Sequence, residues 1–196
     1  PHCCLSLERV LATCGFDDDG VKTKQFNIIK DGILVGYQTI RDNAALINLK
    51  ESGGCCYADN WSSVPFQRMP NVNLQPEPGG PDTAGLIAGV ADGIYIVGDK
   101  SWSIDMQRFN FQFTGQRFYR IRDGELAGQV RDVAYQANTL DFWRSLSALG
   151  GPQTYMLGGA MNCGKGQPGQ VAAVSHGCPS AVFAGVTVLN TRQEAL

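Results

Sequence analysis

Two Asp-Gly corners limit this chain most. Lys30-Asp31-Gly32 separates the apolar runs Gln25–Ile29 and Ile33–Ile40, and Arg122-Asp123-Gly124-Glu125 separates Phe118–Ile121 from Gln129–Val133. A two-residue corner of this kind needs backbone in the left-handed region, which Asp and Gly tolerate, and its twist matches that of two antiparallel strands. The chain is therefore expected to be built from hairpins. With 24 glycines and 9 prolines, turns are many and long helices few. Phe109, Phe111 and Phe113 alternate with Asn110 and Gln112, the period of a half-buried strand. Ile94–Val97, Val171–Val174 and Val182–Leu189 read as further strands.

Helical signals are short. A helical or irregular piece covers Arg41–Leu49. Pro81-Asp82 opens a helix with Leu86, Ile87 and Val90 on one face. Thr139–Leu149 reads as a helix capped by a Thr or Asp, with Leu140, Trp143, Leu146 and Leu149 on its apolar side. Leu5, Leu7, Val10 and Leu11 suit one amphipathic turn or a strand. Glu51–Pro81, rich in Gly and Pro, reads as a long loop, a length that in a compact domain often accompanies function. The expected fold is α+β: one domain over residues 1–196, mostly antiparallel sheet with two or three short helices. A barrel-like closure would hide the sheet edges.

Charge and composition exclude several classes. The formal net charge is −2 and no basic run is visible, so direct nucleic-acid binding has no support. No run of about 18 apolar residues marks a membrane span, and the first residues lack the pattern of a secretory signal. Seven cysteines fall in no regular framework, which points to free thiols in a reducing cytoplasm. The adjacent pairs Cys3-Cys4 and Cys55-Cys56 read as free, and Asp17-Asp18-Asp19-Gly20 reads as a solvated turn without calcium-loop spacing. The only histidines are His2 and His176, and no His-Glu pair occurs, so no helical His-Glu zinc motif is present.

Chemistry is best placed near the C-terminus. In Met161–Gln170, Cys163 stands in a Gly-rich loop beside Lys165, a setting that favours thiolate. Zinc takes three or four protein ligands, so one thiolate does not hold it alone. Ser175-His176-Gly177-Cys178-Pro179 follows. Cys163, His176 and Cys178 together would supply three metal donors, though at a spacing of no common zinc module; Cys163 and His176 would alternatively form a nucleophilic dyad. The plainer reading of His176 is a surface histidine beside a turn.

Cys163-Gly164-Lys165, Gly169-Gln170 and the run from Val174 to Gly177 and Pro179 resemble the C-terminal signature of the TldD/PmbA family. Other segments match in the same order: Asp18–Val21, Asp31–Tyr37, Asn43-Ala44, Arg68-Met69-Pro70-Asn71, Gly93–Tyr95 and Asp123–Glu125. The resemblance covers roughly Cys14–Asn190; residues 1–13 match poorly. It implies a cytoplasmic zinc peptidase acting on unfolded peptides together with a similar subunit that lacks the zinc. A helix bearing His-Glu-x-x-x-His would provide two ligands and the general base, and the cysteine corresponding to Cys163 the third ligand. That helix is expected N-terminal to the first residue here, and two residues are inserted between Lys165 and Gly169. By this reading the chain carries one zinc ligand, binds zinc weakly or not at all, and does not hydrolyse peptides alone. The alternatives are a non-catalytic partner of the PmbA type, against which Cys163 argues, and a self-contained Cys-His hydrolase. The family's older name, modulator of DNA gyrase, implies no DNA contact by this sequence.

Overall fold

The computed structural model describes the backbone of His2–Cys4 and residues 10–192. Its elements, in chain order, are β1 (His2–Cys4), β2 (Gln25–Asn27), β3 (Ile29–Lys30), β4 (Ile33–Leu34), α1 (Arg41–Leu46), β5 (Cys56–Tyr57), β6 (Phe66–Gln67), β7 (Val72–Asn73), α2 (Thr83–Ala88), β8 (Asp92–Ile104), β9 (Asn110–Arg122), β10 (Glu125–Val130), β11 (Val133–Asn138), α3 (Thr139–Arg144), β12 (Leu146–Leu149), β13 (Met156–Lys165), β14 (Gln170–Cys178), β15 (Ala181–Phe183) and β16 (Thr187–Asn190). Every strand pairing is antiparallel. The α+β class and the three short helices agree with the sequence. The sheets are open, and no barrel closes among the described residues.

The chain divides into two compact units, Pro1–Gln75 with Tyr155–Cys178 and Pro76–Thr154 with Pro179–Leu196. The second is organised around β9. One edge of this strand pairs with β8 along nearly its whole length; the other pairs with β11 over residues 110–114 and with β10 over residues 118–122. The Asp123-Gly124 corner closes the β9–β10 hairpin with both residues left-handed (φ 47° and 80°). Phe111 and Phe113 lie on one face of β9, with ring centroids 4.6 Å apart. They meet Tyr135 and Phe142 edge-on, and Phe142 stacks on Phe183 at 4.0 Å. Aromatic contacts of this geometry add roughly 0.5–1.5 kcal/mol each beyond area burial.

The first unit is held together differently. The buried residues Asp17, Thr23, Thr39, Ser52, Arg68, Asn71, Asn73, Gln170 and Ser175 all belong to it. Its apolar contribution is small: Ala44, Cys55, Cys56, Ala172 and Val174. Hydrogen bonds from buried side chains to backbone replace a large greasy core. Asp17 shows the pattern, its carboxylate accepting from the amides of Asp19, Val21 and Cys56 at 3.1, 2.8 and 3.0 Å. The Asp17–Gly20 turn is thus a buried anchor as well as a turn.

Several expectations need correction. The Asp31-Gly32 hairpin forms, but β3 and β4 pair over only two residues each; the Val35 and Gly36 amides still donate to the Ile28 carbonyl, at 2.9 and 3.2 Å, and Tyr37–Ile40 belongs to no strand. α1 stops at Leu46 because Asn48 turns left-handed (φ 58°) and the Leu49 amide returns to the Ala44 carbonyl at 2.9 Å. The helix read over Thr139–Leu149 ends at Arg144. Ser145 turns its hydroxyl back to the Phe142 carbonyl at 2.8 Å, and Leu146–Leu149 becomes β12, paired with β15. The cap of α3 is Asn138, whose side chain accepts from the Leu140 and Asp141 amides. The long loop over Glu51–Pro81 contains β5, β6 and β7. Of the segment read from Leu5 to Leu11, Leu5 and Leu7 lie outside the described residues, and Val10–Leu11 enters a turn.

Candidate functional site

The Cys163 segment is a strand, not a loop. β13 and β14 form a hairpin in which Cys163 faces Ala172 and Gly158 faces His176. β14 buries Gln170, Ala172 and Val174 at period two, as a strand covering an interior does, whereas β13 is largely exposed. The register shifts between Ala160 and Cys163. A bulge of this kind locally disrupts the ladder and re-aims the following side chain. The glycines around Cys163 suggested a loop; Gly164 instead pairs with Val171 within the hairpin, and only Gly166 and Gly169 fall in the turn at its tip.

The segment from Tyr57 to Arg68 wraps the tip of this hairpin. The Tyr57 hydroxyl donates to the Val171 carbonyl at 2.9 Å, and Gln170 accepts from the Asp59 amide at 3.0 Å while donating to the Val64 carbonyl at 2.7 Å. Lys165 donates to the Gln67 carbonyl and side chain, and its ammonium lies 4.6 Å from the centre of the Phe66 ring. Arg68, only 6% exposed, donates from Nη2 to the Cys163 carbonyl at 2.5 Å and from Nη1 to that of Gly164 at 3.5 Å. Its Nε has no hydrogen-bond partner, and no carboxylate pairs with it among the described residues. A buried guanidinium thus pins the backbone of the cysteine, whose residue stays half-buried.

The other proposed donors lie elsewhere along the hairpin. His176 is four positions beyond Ala172, roughly 13 Å from the Cys163 register at about 3.3 Å per residue. Its Nδ1 faces the amide and carbonyl of Val72 at 3.3 and 3.1 Å. Cys178 is two positions further, an exposed residue whose thiol is nevertheless pushed above its ordinary value by desolvation. The hairpin therefore does not bring Cys163, His176 and Cys178 together. Among the described residues no group of three His, Cys, Asp or Glu side chains is placed to hold a metal.

Cys14, Cys55, Cys56, Cys163 and Cys178 are free thiols; the side chains of Cys3 and Cys4 lie outside the described residues. Burial, then the neighbouring Asp19, pushes the Cys56 thiol up to about 12, and burial with Asp18 and Asp17 raises that of Cys14. Both stay protonated at neutral pH and are poor ligands or nucleophiles.

Residues 5–190 match the family model of the PmbA/TldA metallopeptidase C-terminal domain. The chain belongs to this family. Relatives of the TldD/PmbA domain include metalloproteases of Archaeoglobus fulgidus, 34% identical, and Methanothermobacter thermautotrophicus, 30% identical; each match covers 84% of this chain, and 36% and 34% of the relative. A zinc metalloprotease TldD homolog of Saccharolobus solfataricus is 26% identical over 68% of this chain and 29% of its own. The chain thus spans about a third of the length of the curated relatives it matches. Two solved structures share the fold: a modulator of a DNA gyrase from Thermotoga maritima (TM-score 0.67, 18% identity, 96% of this chain and 38% of that one) and TldE from Thermococcus kodakarensis (TM-score 0.60, 17% identity, 89% and 36%). No helix of the described TldD/PmbA domain is long and apolar enough to cross a membrane.

Arg68 entered the sequence reading only as part of a family segment. Asn71 and Asn73 were missed as a pair. Each carboxamide oxygen accepts from β14: that of Asn71 from the Ser175 amide at 2.8 Å, and that of Asn73 from the Gly177 amide at 2.6 Å. Their alternation with Val72 is the one local signal of a strand presenting two side chains to a single neighbour.

Proposed function

We propose that this chain is the part of a TldD-type zinc metallopeptidase that carries a single metal-ligating cysteine, Cys163, and a sheet edge that holds an unfolded peptide. What supports the cysteine's role is the grip of Arg68 on its backbone at a strand bulge. Fixing the backbone that carries a side chain is how a donor is pre-organised. The outer edge of β13 pairs with no other strand among the described residues, so an extended peptide has backbone donors and acceptors to add to.

The residues present do not make a complete zinc site. Three protein donors and an open position are the minimum for catalytic zinc, and the described residues gather no such set. The remaining donors and the general base must come from outside them, so no hydrolytic step is assigned to this chain's own groups. The working enzyme on this reading is cytoplasmic and pairs with a similar subunit.

Zinc calorimetry on the chain beside a Cys163→Ser variant tests the reading. The expected result is no tight binding by either protein and no zinc-dependent peptide hydrolysis. Tight one-to-one binding that survives in Cys163→Ser would remove Cys163 from the role, and tight binding lost in that variant, or hydrolysis by this chain alone, would overturn the reading of an incomplete site.

A further inference from the structure

Although the linear sequence shows no basic run, folding gathers four cations. A concavity of about 660 Å³ in the first unit is lined by Lys22, Lys24, Arg41 and Lys50, with Glu51 the one acid on its wall. The whole chain is net negative, so this is a local reversal of sign. The floor is small and fixed. Ala44, Thr23 and Ser52 are buried; the Ser52 hydroxyl donates to the Thr39 carbonyl at 3.0 Å, and the Gly53 amide to the Thr39 hydroxyl at 2.7 Å. The cations are only lightly engaged. Lys24 meets Glu51 at 3.2 Å in an exposed ion pair, the kind that contributes little and opens readily. Arg41 is anchored through its backbone amide and Nε to Asp19, at 3.1 and 3.2 Å, which leaves the two terminal nitrogens of its fork for a carboxylate.

We propose that this concavity is a docking site for an acidic stretch of polypeptide. The proposal goes beyond the reading of Cys163 and does not depend on it. A pre-formed wall of Lys and Arg complements closely spaced carboxylates. A nucleic-acid strand fits less well: no aromatic side chain lines the concavity to stack on bases, and such platforms carry much of single-strand binding.

Fluorescence anisotropy with a labelled short polyglutamate peptide tests this on the chain as it stands, with a polylysine peptide and a single-stranded RNA alongside. Polyglutamate is expected to bind, polylysine not, and the affinity to fall as salt shortens the screening length. The double variant Lys22→Glu, Lys50→Glu is expected to lose about tenfold or more in affinity, since like charges facing each other oppose binding. Glu51→Lys, which adds a cation, is expected to bind more tightly. No binding of polyglutamate, equal binding by the double variant with unchanged circular dichroism, or RNA binding more tightly than the peptide would each overturn the proposal.

Discussion

At the scale of single residues, Arg68 has the least ordinary environment. A guanidinium keeps its charge in any protein setting, yet this one is buried against two carbonyls with one N–H unsatisfied. Removing it leaves the Cys163 and Gly164 carbonyls without their charged donor. Arg68→Ala is expected to destabilise the chain by roughly 1.5–3 kcal/mol, the usual worth of hydrogen bonds to a charged group, read as a lower urea midpoint. Arg68→Lys, which lacks the planar fork, should recover only part. A midpoint unchanged in the alanine variant would mean that the guanidinium does not hold this backbone. Cys163 stood out in the sequence as a candidate donor, but its setting was not legible there. Gly-Lys-Gly text describes a loop and a strand end equally well, and the bulge that distinguishes them depends on a partner strand.

At the scale of elements, the Asp-Gly corners were the most readable feature, because their chemistry is local. Both corners close hairpins, though the second arm at Asp123-Gly124 is Glu125–Val130 and not the expected Gln129–Val133, because Val133 begins β11. The β8–β9 turn was not read at all, and it rests on one carboxylate. Asp105 accepts from the Phe109 amide at 2.7 Å, from the Asn110 amide at 2.9 Å and from the Asn110 side chain at 2.9 Å. These bonds, led by the Phe109 amide, hold its carboxyl below the ordinary 3.8. A lowered folded value means that the contribution is complete above about pH 4 and is lost as pH falls through the folded value. An NMR titration of the Asp105 carboxyl is expected to give a midpoint below 3.8, with faster hydrogen exchange at Phe109 and Asn110 once it protonates. A midpoint at or above 3.8 would show that the turn does not depend on the charge. The helix read through Leu149 failed for the opposite reason. Leu146-Ser147-Ala148-Leu149 suits a helix locally, and only the distant strand Ala181–Phe183 makes it a strand.

At the scale of the molecule, two units use two kinds of interior. One hides hydrogen-bonded Asp, Asn, Thr, Ser and Arg; the other stacks aromatic rings. The aromatic stripe on β9 was legible from its period. The polar interior was not, since nothing in a lone Asn71 or Thr39 says that it will be buried; that depends on backbone amides far along the chain. The contrast predicts a local response to damage. Phe142→Ala removes the ring stacked on Phe183 and should cost about 3 kcal/mol, the lower part of the range for Phe truncation, because the ring is only half-buried. Native-state hydrogen exchange should show lost protection in β9, β11 and β15, with β14 little changed. Equal loss in β14 would mean that the two interiors unfold as one.

β8 has a further consequence. Thirteen residues long, it pairs only with β9, and its other edge meets no strand among the described residues. A straight edge of that length is a template for amyloid-like stacking. Here the strand is interrupted at its middle: Gly98 is left-handed (φ 71°), the register shifts between Asp99 and Trp102, and Lys100 sits in the interval. The kink and the charge leave no long flat stretch for another copy to read, so the irregularity serves as protection against fibril growth.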